Sequence, residues 1–412
     1  MKHLTVALLF AASAALAQTA QEKDHPLSAL PYTPSLDIPS MDRTADPCAD
    51  FYQYTCGGWM RNNPIPPDQA SWSVYGKVGD ENARFLWGIL DEAGKQTADR
   101  TAVQQKIGDY FDACMDETRV EELGAAALQP LLDDIAALKS RRELAAFLAK
   151  EHPRNYSSGW LFGFGADQDF GDATQVIAFA SAGGLGLPDR DYYTKTDDKS
   201  KDVRAKYLAH VGRMFELIGE SKAAAKKDAA TVMRLETALA KASLTRVERR
   251  DPYNLYHKMS PAALQKLTPA FDWKTYLAAN GIGGVKSINV TEPKFFKAAN
   301  AQIAAAPLAD WKAYLRWNAV HTRAAYLSKP FVMENFDFYS KTLRGVKEIA
   351  PRWKRCVRYV DRDLGEALGQ EFVRRTFSAE TKQKTVEMTQ LIEKAMENEI
   401  KTLDWMTPAT KI

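Results

Sequence analysis

Residues Asp46 to Asp68 read DPCADFYQYTCGGWMRNNPIPPD. This stretch holds Cys48 and Cys56, two of only four cysteines in the chain; the others are Cys114 and Cys356. Seven residues separate Cys48 from Cys56. A zinc knuckle uses two to four, and the CxxC spacing of redox sites is absent. A Gly-Gly-Trp step follows at once. What these thiols bond to decides what the chain can do.

Upstream, the chain begins as an export signal. Lys2 supplies a short basic region, and Leu4 to Leu16 is an apolar run too short to span a bilayer. Ala15-Leu16-Ala17 closes it with small residues, so cleavage is expected after Ala17 and residues 1–17 are read as a signal peptide. Residues 18–45 are polar and carry Pro26, Pro31, Pro34 and Pro39, which reads as a disordered lead-in. Order is expected from Asp46. The mature protein is expected to be exported, to a periplasmic or extracellular space where cysteines pair, with no transmembrane anchor.

The 412 residues are 45% hydrophobic and 26% charged, ordinary for a chain that buries a core. A net charge of +3 is too small to point to nucleic acid or an anionic membrane as the main partner.

Downstream, the pattern is mainly helical. Val103, Ile107, Tyr110, Phe111 and Cys114 share one helical face; so do Leu128, Leu131, Leu132, Ile135 and Leu138, and again Val203, Tyr207, Val211, Met214, Phe215 and Ile218. Ser260-Pro261 reads as an N-cap with Pro at the first helical position, and Gly281 as a helix stop. Trp160–Gly165 and Gln175–Ala180 flank DQDFGDAT and predict a small β-hairpin. Val386, Leu391, Ile392, Met396, Ile400 and Leu403 predict a long amphipathic helix near the C-terminus. Thr407-Pro408 then repeats the helix-start signal with four residues to follow, an expectation that the chain stops before its fold does.

The residues offer no complete catalytic constellation. HExxH sets two imidazoles one turn apart around a general base, but the six histidines are followed by Leu4, Pro26, Pro153, Val211, Lys258 and Thr322. Glu151-His152 fits the end of an inverted motif, with Leu148 where its first His belongs. Gly163-Phe164-Gly165 lacks the third glycine of a phosphate loop. Asp189-Arg190-Asp191 reads as a structural ion-pair turn. The basic-aromatic run Pro351 to Asp363 reads as a solvated helix face around a buried Cys356. Asn155-Tyr156-Ser157 and Asn289-Val290-Thr291 match the glycosylation sequon.

Several segments taken in order resemble the neprilysin-like (endothelin-converting-enzyme-like) zinc metalloendopeptidases. They are the opening stretch, GGLGLPDRDYY (183–193), RRDPYNLYHKMS (249–260, with His257 where the family has Asn), FDFY (336–339), TLRGVKEIAPRWKRCV (342–357) and LDWM (403–406). The resemblance runs from about Asp46 to Ile412. It implies a mainly α fold: the multi-helix cap lobe of a two-lobed peptidase, with a small β-hairpin, and with the thermolysin-like catalytic lobe missing. In the family the zinc motif, the third ligand and the Asn-Ala-aromatic-Tyr motif all follow the region matched here; Asn318-Ala319 is followed by Val320. No catalytic or metal residue therefore carries over. Zinc is implied for the full-length member, where a zinc-bound water attacks the scissile carbonyl of an oligopeptide, and none is expected on this chain.

The resemblance also implies the cysteine pairing. Cys114 and Cys356 are expected to form a disulfide within the cap. Cys48 and Cys56 are expected to stay unpaired, awaiting partners in the catalytic part, with a local Cys48–Cys56 bridge as the alternative. The arginines that some members place just after the opening motif reduce here to Arg84. The expected function is thus the N-terminal part of a secreted peptidase, inactive alone; the alternative is a non-enzymatic cap that binds peptides or another chain.

Overall fold

The computed structural model describes residues 25–32, 34, 36–95, 97–154 and 160–411. The expected signal peptide and the Asn155 sequon lie outside the described residues. In chain order the helices are α1 (Phe51–Asn62), α2 (Val74–Gly94), α3 (Ala102–Met115), α4 (Glu117–Leu123), α5 (Gln129–Ala137) and α6 (Leu144–Glu151). The hairpin β1 (Phe162–Asp169) and β2 (Asp172–Ala182) comes next. Then follow α7 (Asp191–Thr194), α8 (Asp198–Leu217), α9 (Lys222–Ala242), β3 (Lys258–Met259), α10 (Pro261–Leu267), α11 (Trp273–Ala279) and β4 (Ile288–Val290). The chain closes with α12 (Pro293–Ala305), α13 (Leu308–Arg323), α14 (Lys329–Asn335), a π-helical turn at Phe336–Thr342, α15 (Arg352–Thr376) and α16 (Ala379–Thr402).

Two compact units result. Unit 1 takes the chain up to Asp116 and again from Ala350; unit 2 is the continuous stretch Glu117–Ile349.

Unit 1 is helical. Phe85, Ile89 and Leu90 of α2, Ile107 and Phe111 of α3, and Trp353, Val357, Val360 and Leu368 of α15 form its core. The face read from Val103 to Cys114 is the one α3 buries. Trp87 stacks on Trp353 at 4.4 Å between ring centroids. Cys114 and Cys356 form a disulfide that joins α3 to α15.

Two described residues of the lead-in, Leu27 and Asp42, make specific contacts. The Leu27 N–H donates to the Arg84 carbonyl at 3.0 Å, and Asp42 is buried. The Asp42 carboxylate accepts from the Thr44 hydroxyl at 2.6 Å, Gln53 Nε2 at 2.9 Å and Arg61 Nη1 at 2.5 Å. Those donors, the Thr44 hydroxyl and the Arg61 guanidinium foremost, hold its carboxyl well below the usual carboxylate range. The chain here crosses α1 so closely that a Cβ at Gly58 would lie 2.5 Å from the Pro39 carbonyl oxygen. The Gly-Gly step is therefore a crossing point, and the bonds of Leu27 and Asp42 are ones that the proline-rich composition of this segment does not display.

Unit 2 is built around a four-stranded sheet of order β1-β2-β4-β3. The predicted hairpin is present, antiparallel, with Phe162 opposite Ala182. β4 adds in parallel to β2, with Ala178 opposite Ile288, and β3 pairs antiparallel with β4. Phe162 of β1 forms a core with Trp160, Phe271, Trp273, Tyr276 and Phe296. Ser260 caps α10 as read, accepting from the Ala263 N–H at 3.2 Å. Gly281, at φ +74°, follows the end of α11.

Asn289 corrects the sequon reading. It is fully buried in β4. Its Oδ1 accepts from the His257 N–H at 2.7 Å, and its Nδ2 donates to the Leu255 carbonyl at 2.9 Å. The side chain is a structural bridge and is not available to glycan transfer. Replacing Asn289 with Ala strands both backbone groups and is expected to cost about 2 kcal/mol. Chemical denaturation of the purified variant checks this, and a cost under about 0.5 kcal/mol would contradict the bridging role.

Candidate functional site

Two places concentrate polar chemistry, one in each unit. In unit 2 it is Glu236, on the buried stripe of α9 with Val232, Leu235 and Leu239. Glu236 is 1% exposed, and the groups that hydrogen-bond its carboxylate are neutral donors. Oε2 accepts from the Tyr193 hydroxyl at 2.7 Å and the Tyr207 hydroxyl at 2.8 Å. Oε1 accepts from the Trp317 Nε1–H at 3.1 Å and the Gly186 N–H at 3.2 Å. Burial pushes the carboxyl up to about 7, against the pull of its donors. The same burial, reinforced by the Glu236 charge, raises the Tyr193 and Tyr207 phenols, which stay protonated as donors.

This explains GGLGLPDRDYY. A Cβ at Gly186 would sit 1.9 Å from the Tyr207 hydroxyl, so only glycine lets the loop deliver its N–H to Glu236. Tyr193, the last residue of the motif, closes the other side, and its hydroxyl accepts from the Leu187 N–H at 2.8 Å. Between them, Asp189-Arg190-Asp191 is structural but not a self-contained ion pair. Asp189 pairs with Arg246, Asp191 with Lys195, and Arg190 Nε donates to the Ala240 carbonyl at 3.2 Å. Sequence reasoning missed Glu236. Its signal was a lone carboxylate on an otherwise apolar helical stripe.

In unit 1 a cleft of about 580 Å³ lies between α2 and α15, lined by Trp72, Gly79, Asn82, Lys354, Arg358 and Phe372 among others. Lys354 is buried, its Nζ 2.9 Å from Asp68 and 2.5 Å from Asp80. The run Pro351 to Asp363 is therefore only partly the solvated face it was read as. Asp68, the last residue of the opening stretch, thereby ties that stretch to α15. The Arg84 side chain is 13% exposed, and its Nε lies 3.8 Å from Asp80.

Cys48 is exposed and Cys56 half-buried, both as free thiols. The predicted amphipathic helix is α16, and its apolar face is unpartnered: Leu391 is 68% exposed, Ile392 56% and Met396 60%. Thr407 begins a turn, accepting from the Thr410 N–H at 3.3 Å.

No group of three or more His, Cys, Asp or Glu side chains among the described residues is arranged to hold a metal ion. The histidine of the inverted-motif reading is used otherwise. His152 has Nδ1 2.7 Å from the Tyr276 hydroxyl and Nε2 2.9 Å from the Trp160 carbonyl, and Glu151 pairs with Arg154 and Arg323. The described residues do not fit a zinc site. No described helix is long and apolar enough to cross a membrane.

Comparison with known proteins extends this picture. The family profile described as Peptidase family M13 matches residues 47–412. The chain is 30% identical over 387 residues to endothelin-converting enzyme 1 of Mus musculus, which covers 90% of the chain and 49% of that protein. It is 28% identical over 393 residues to neprilysin-3 of Drosophila melanogaster, covering 91% and 50%. The solved structure of the Mycobacterium tuberculosis zinc metalloprotease Zmp1 with an inhibitor superposes with a TM-score of 0.82 at 31% identity, covering 93% of this chain and 57% of that one. The chain thus spans about half the length of the curated relatives it matches.

Proposed function

The chain belongs to peptidase family M13, and from that premise we propose that it forms the N-terminal, mainly helical cap part of a zinc metallopeptidase that hydrolyses oligopeptides. The observation that carries the reading is the pairing of a family match over nearly all the chain with coverage of only about half of each relative. Zinc belongs to the family's chemistry, and nothing described here is arranged to bind it. The metal and the hydrolytic groups are assigned to sequence outside this chain, and the chain alone is assigned no activity. The unpartnered face of α16 and the free thiols of Cys48 and Cys56 are what this part offers to the rest of such a protein. Exposed apolar area of this kind usually marks a missing partner, which favours this reading over a free-standing binding cap. The expected export signal and the disulfide support an oxidising, non-cytoplasmic location.

The test is zinc content and peptide hydrolysis, measured on the purified chain and on the same chain extended by whatever coding sequence follows codon 412 in its source. The chain alone is expected to carry no stoichiometric zinc and to leave a quenched fluorogenic peptide intact, and the extended protein to bind zinc and cleave the peptide. Stoichiometric zinc or turnover by the chain alone overturns the proposal.

A further inference from the structure

The π-helical turn Phe336–Thr342 in unit 2 is a rare conformation, and the packing around it holds it in place. Two histidines supply that packing. His210 of α8 is fully buried. Its ring lies flat on Phe338, at 4.8 Å and 13°, and edge-on to Tyr339 at 5.4 Å. His321 of α13 stacks on Trp317 at 5.0 Å and reaches Tyr339 at 5.1 Å. Tyr339 is anchored by its hydroxyl, which donates to the Gly186 carbonyl at 2.8 Å. His210 Nδ1 lies 2.7 Å from Glu334 of α14. His210 Nε2 and His321 Nδ1 are buried with no hydrogen-bond partner among the described residues.

We propose that the turn Phe336–Thr342 is an acid-released latch, held while His210 and His321 are neutral and freed by their protonation before the rest of unit 2 unfolds. An imidazolium carries N–H on both ring nitrogens, so charging either ring buries a donor that has no acceptor. The two charges would also oppose each other within one aromatic cluster. The surrounding groups give little relief. Glu334 already shares its charge with Arg213, at 2.6 Å. On the turn itself Asp337 pairs with Lys341. Tyr207 of α8 and Tyr193 of α7 are committed to Glu236 of α9, and Glu236 takes up its own proton near 7 and so offers no counter-charge in acid. Burial, then the neighbouring imidazole, lowers His321 to about 4, and burial moves His210 the same way. A depressed histidine stabilises the fold above the ordinary imidazole value of about 6.5, and that stabilisation fades as pH falls below it.

Amide exchange followed by mass spectrometry from pH 7.5 to 4.5, with labelling times scaled to the intrinsic rate, tests the proposal. Peptides spanning 329–346 are expected to lose protection at least about tenfold below about pH 5.5 while those of α9 keep theirs. His321→Phe keeps the aromatic stack without a titrating nitrogen and is expected to hold the turn closed about one pH unit further into acid. Loss spread evenly over unit 2, no loss at all, or an unchanged onset in His321→Phe overturns the latch. Should that variant fail to fold, the wild-type profile alone decides, since only local release is consistent with the proposal.

Discussion

Replacing Glu236 with Ala is expected to destabilise unit 2 by about 3–5 kcal/mol. The change leaves the Tyr193, Tyr207, Trp317 and Gly186 donors facing a cavity, and each stranded buried donor costs about 1–3 kcal/mol before relaxation. Glu236→Gln separates shape from charge. The amide keeps one acceptor oxygen, and its NH₂ can donate to Tyr207, whose hydroxyl lies 3.0 and 2.8 Å from the two carboxylate oxygens. The consequence shows in pH. The folded-state value of Glu236, about 7, stands above its ordinary 4.5. Between those limits the folded chain binds more protons than the unfolded one, so the contribution of Glu236 is fully present below about 4.5 and is lost as pH rises through about 7. The loss is on the order of 3 kcal/mol. Buried His152, His210 and His321 shift downward and slope the other way. Comparing wild type with Glu236→Gln cancels them. From pH 4.5 to pH 8 the stability difference is expected to move toward the Gln variant by about 3 kcal/mol. Denaturant titrations at both pH values measure it, and a pH-independent difference would sink the assignment of Glu236 as a proton-binding carboxyl.

The second large effect belongs to Cys114–Cys356, 242 residues apart. Removing it with paired Ala substitutions is expected to cost about 5 kcal/mol measured against a fully unfolded chain, from the loop-closure relation. Measured against a state in which unit 2 stays folded, the flexible part of the loop shrinks to residues 115–116 and 350–355, on the order of ten, and the expected cost falls to about 3 kcal/mol. Both disulfide half-cystines lie in unit 1, so reductant should lower the transition that reports the Trp87–Trp353 stack and leave that of unit 2 in place. Near-ultraviolet circular dichroism with and without dithiothreitol distinguishes them. An unchanged unit 1 transition, with both thiols verified as reduced, would contradict the prediction.

The sequence by itself determined the helical faces of α3 and α8, the Ser260 cap, the hairpin and the family resemblance. Each depends on local periodicity or on residue identity at short spacing, which a linear string preserves. The apolar stripe of α16 was equally legible, but not that it lies exposed; a stripe records what a helix would bury and not whether a partner is there. Tertiary structure alone decided the rest. Asn289 satisfied a local motif, yet its position in β4 turns it into a bridge, because burial is set by the parallel pairing with β2. The composition of the proline-rich segment gave no sign of the bonds Asp42 makes or of the close crossing at Gly58. Glu236 drew no notice because a single carboxylate carries no spacing signal. Its chemistry exists only where Gly186, Tyr193, Tyr207 and Trp317, up to 131 residues apart along the chain, converge and exclude water. A buried charge is defined by the donors and the dielectric that the fold assembles around it, and neither is written at the position of the residue that bears it.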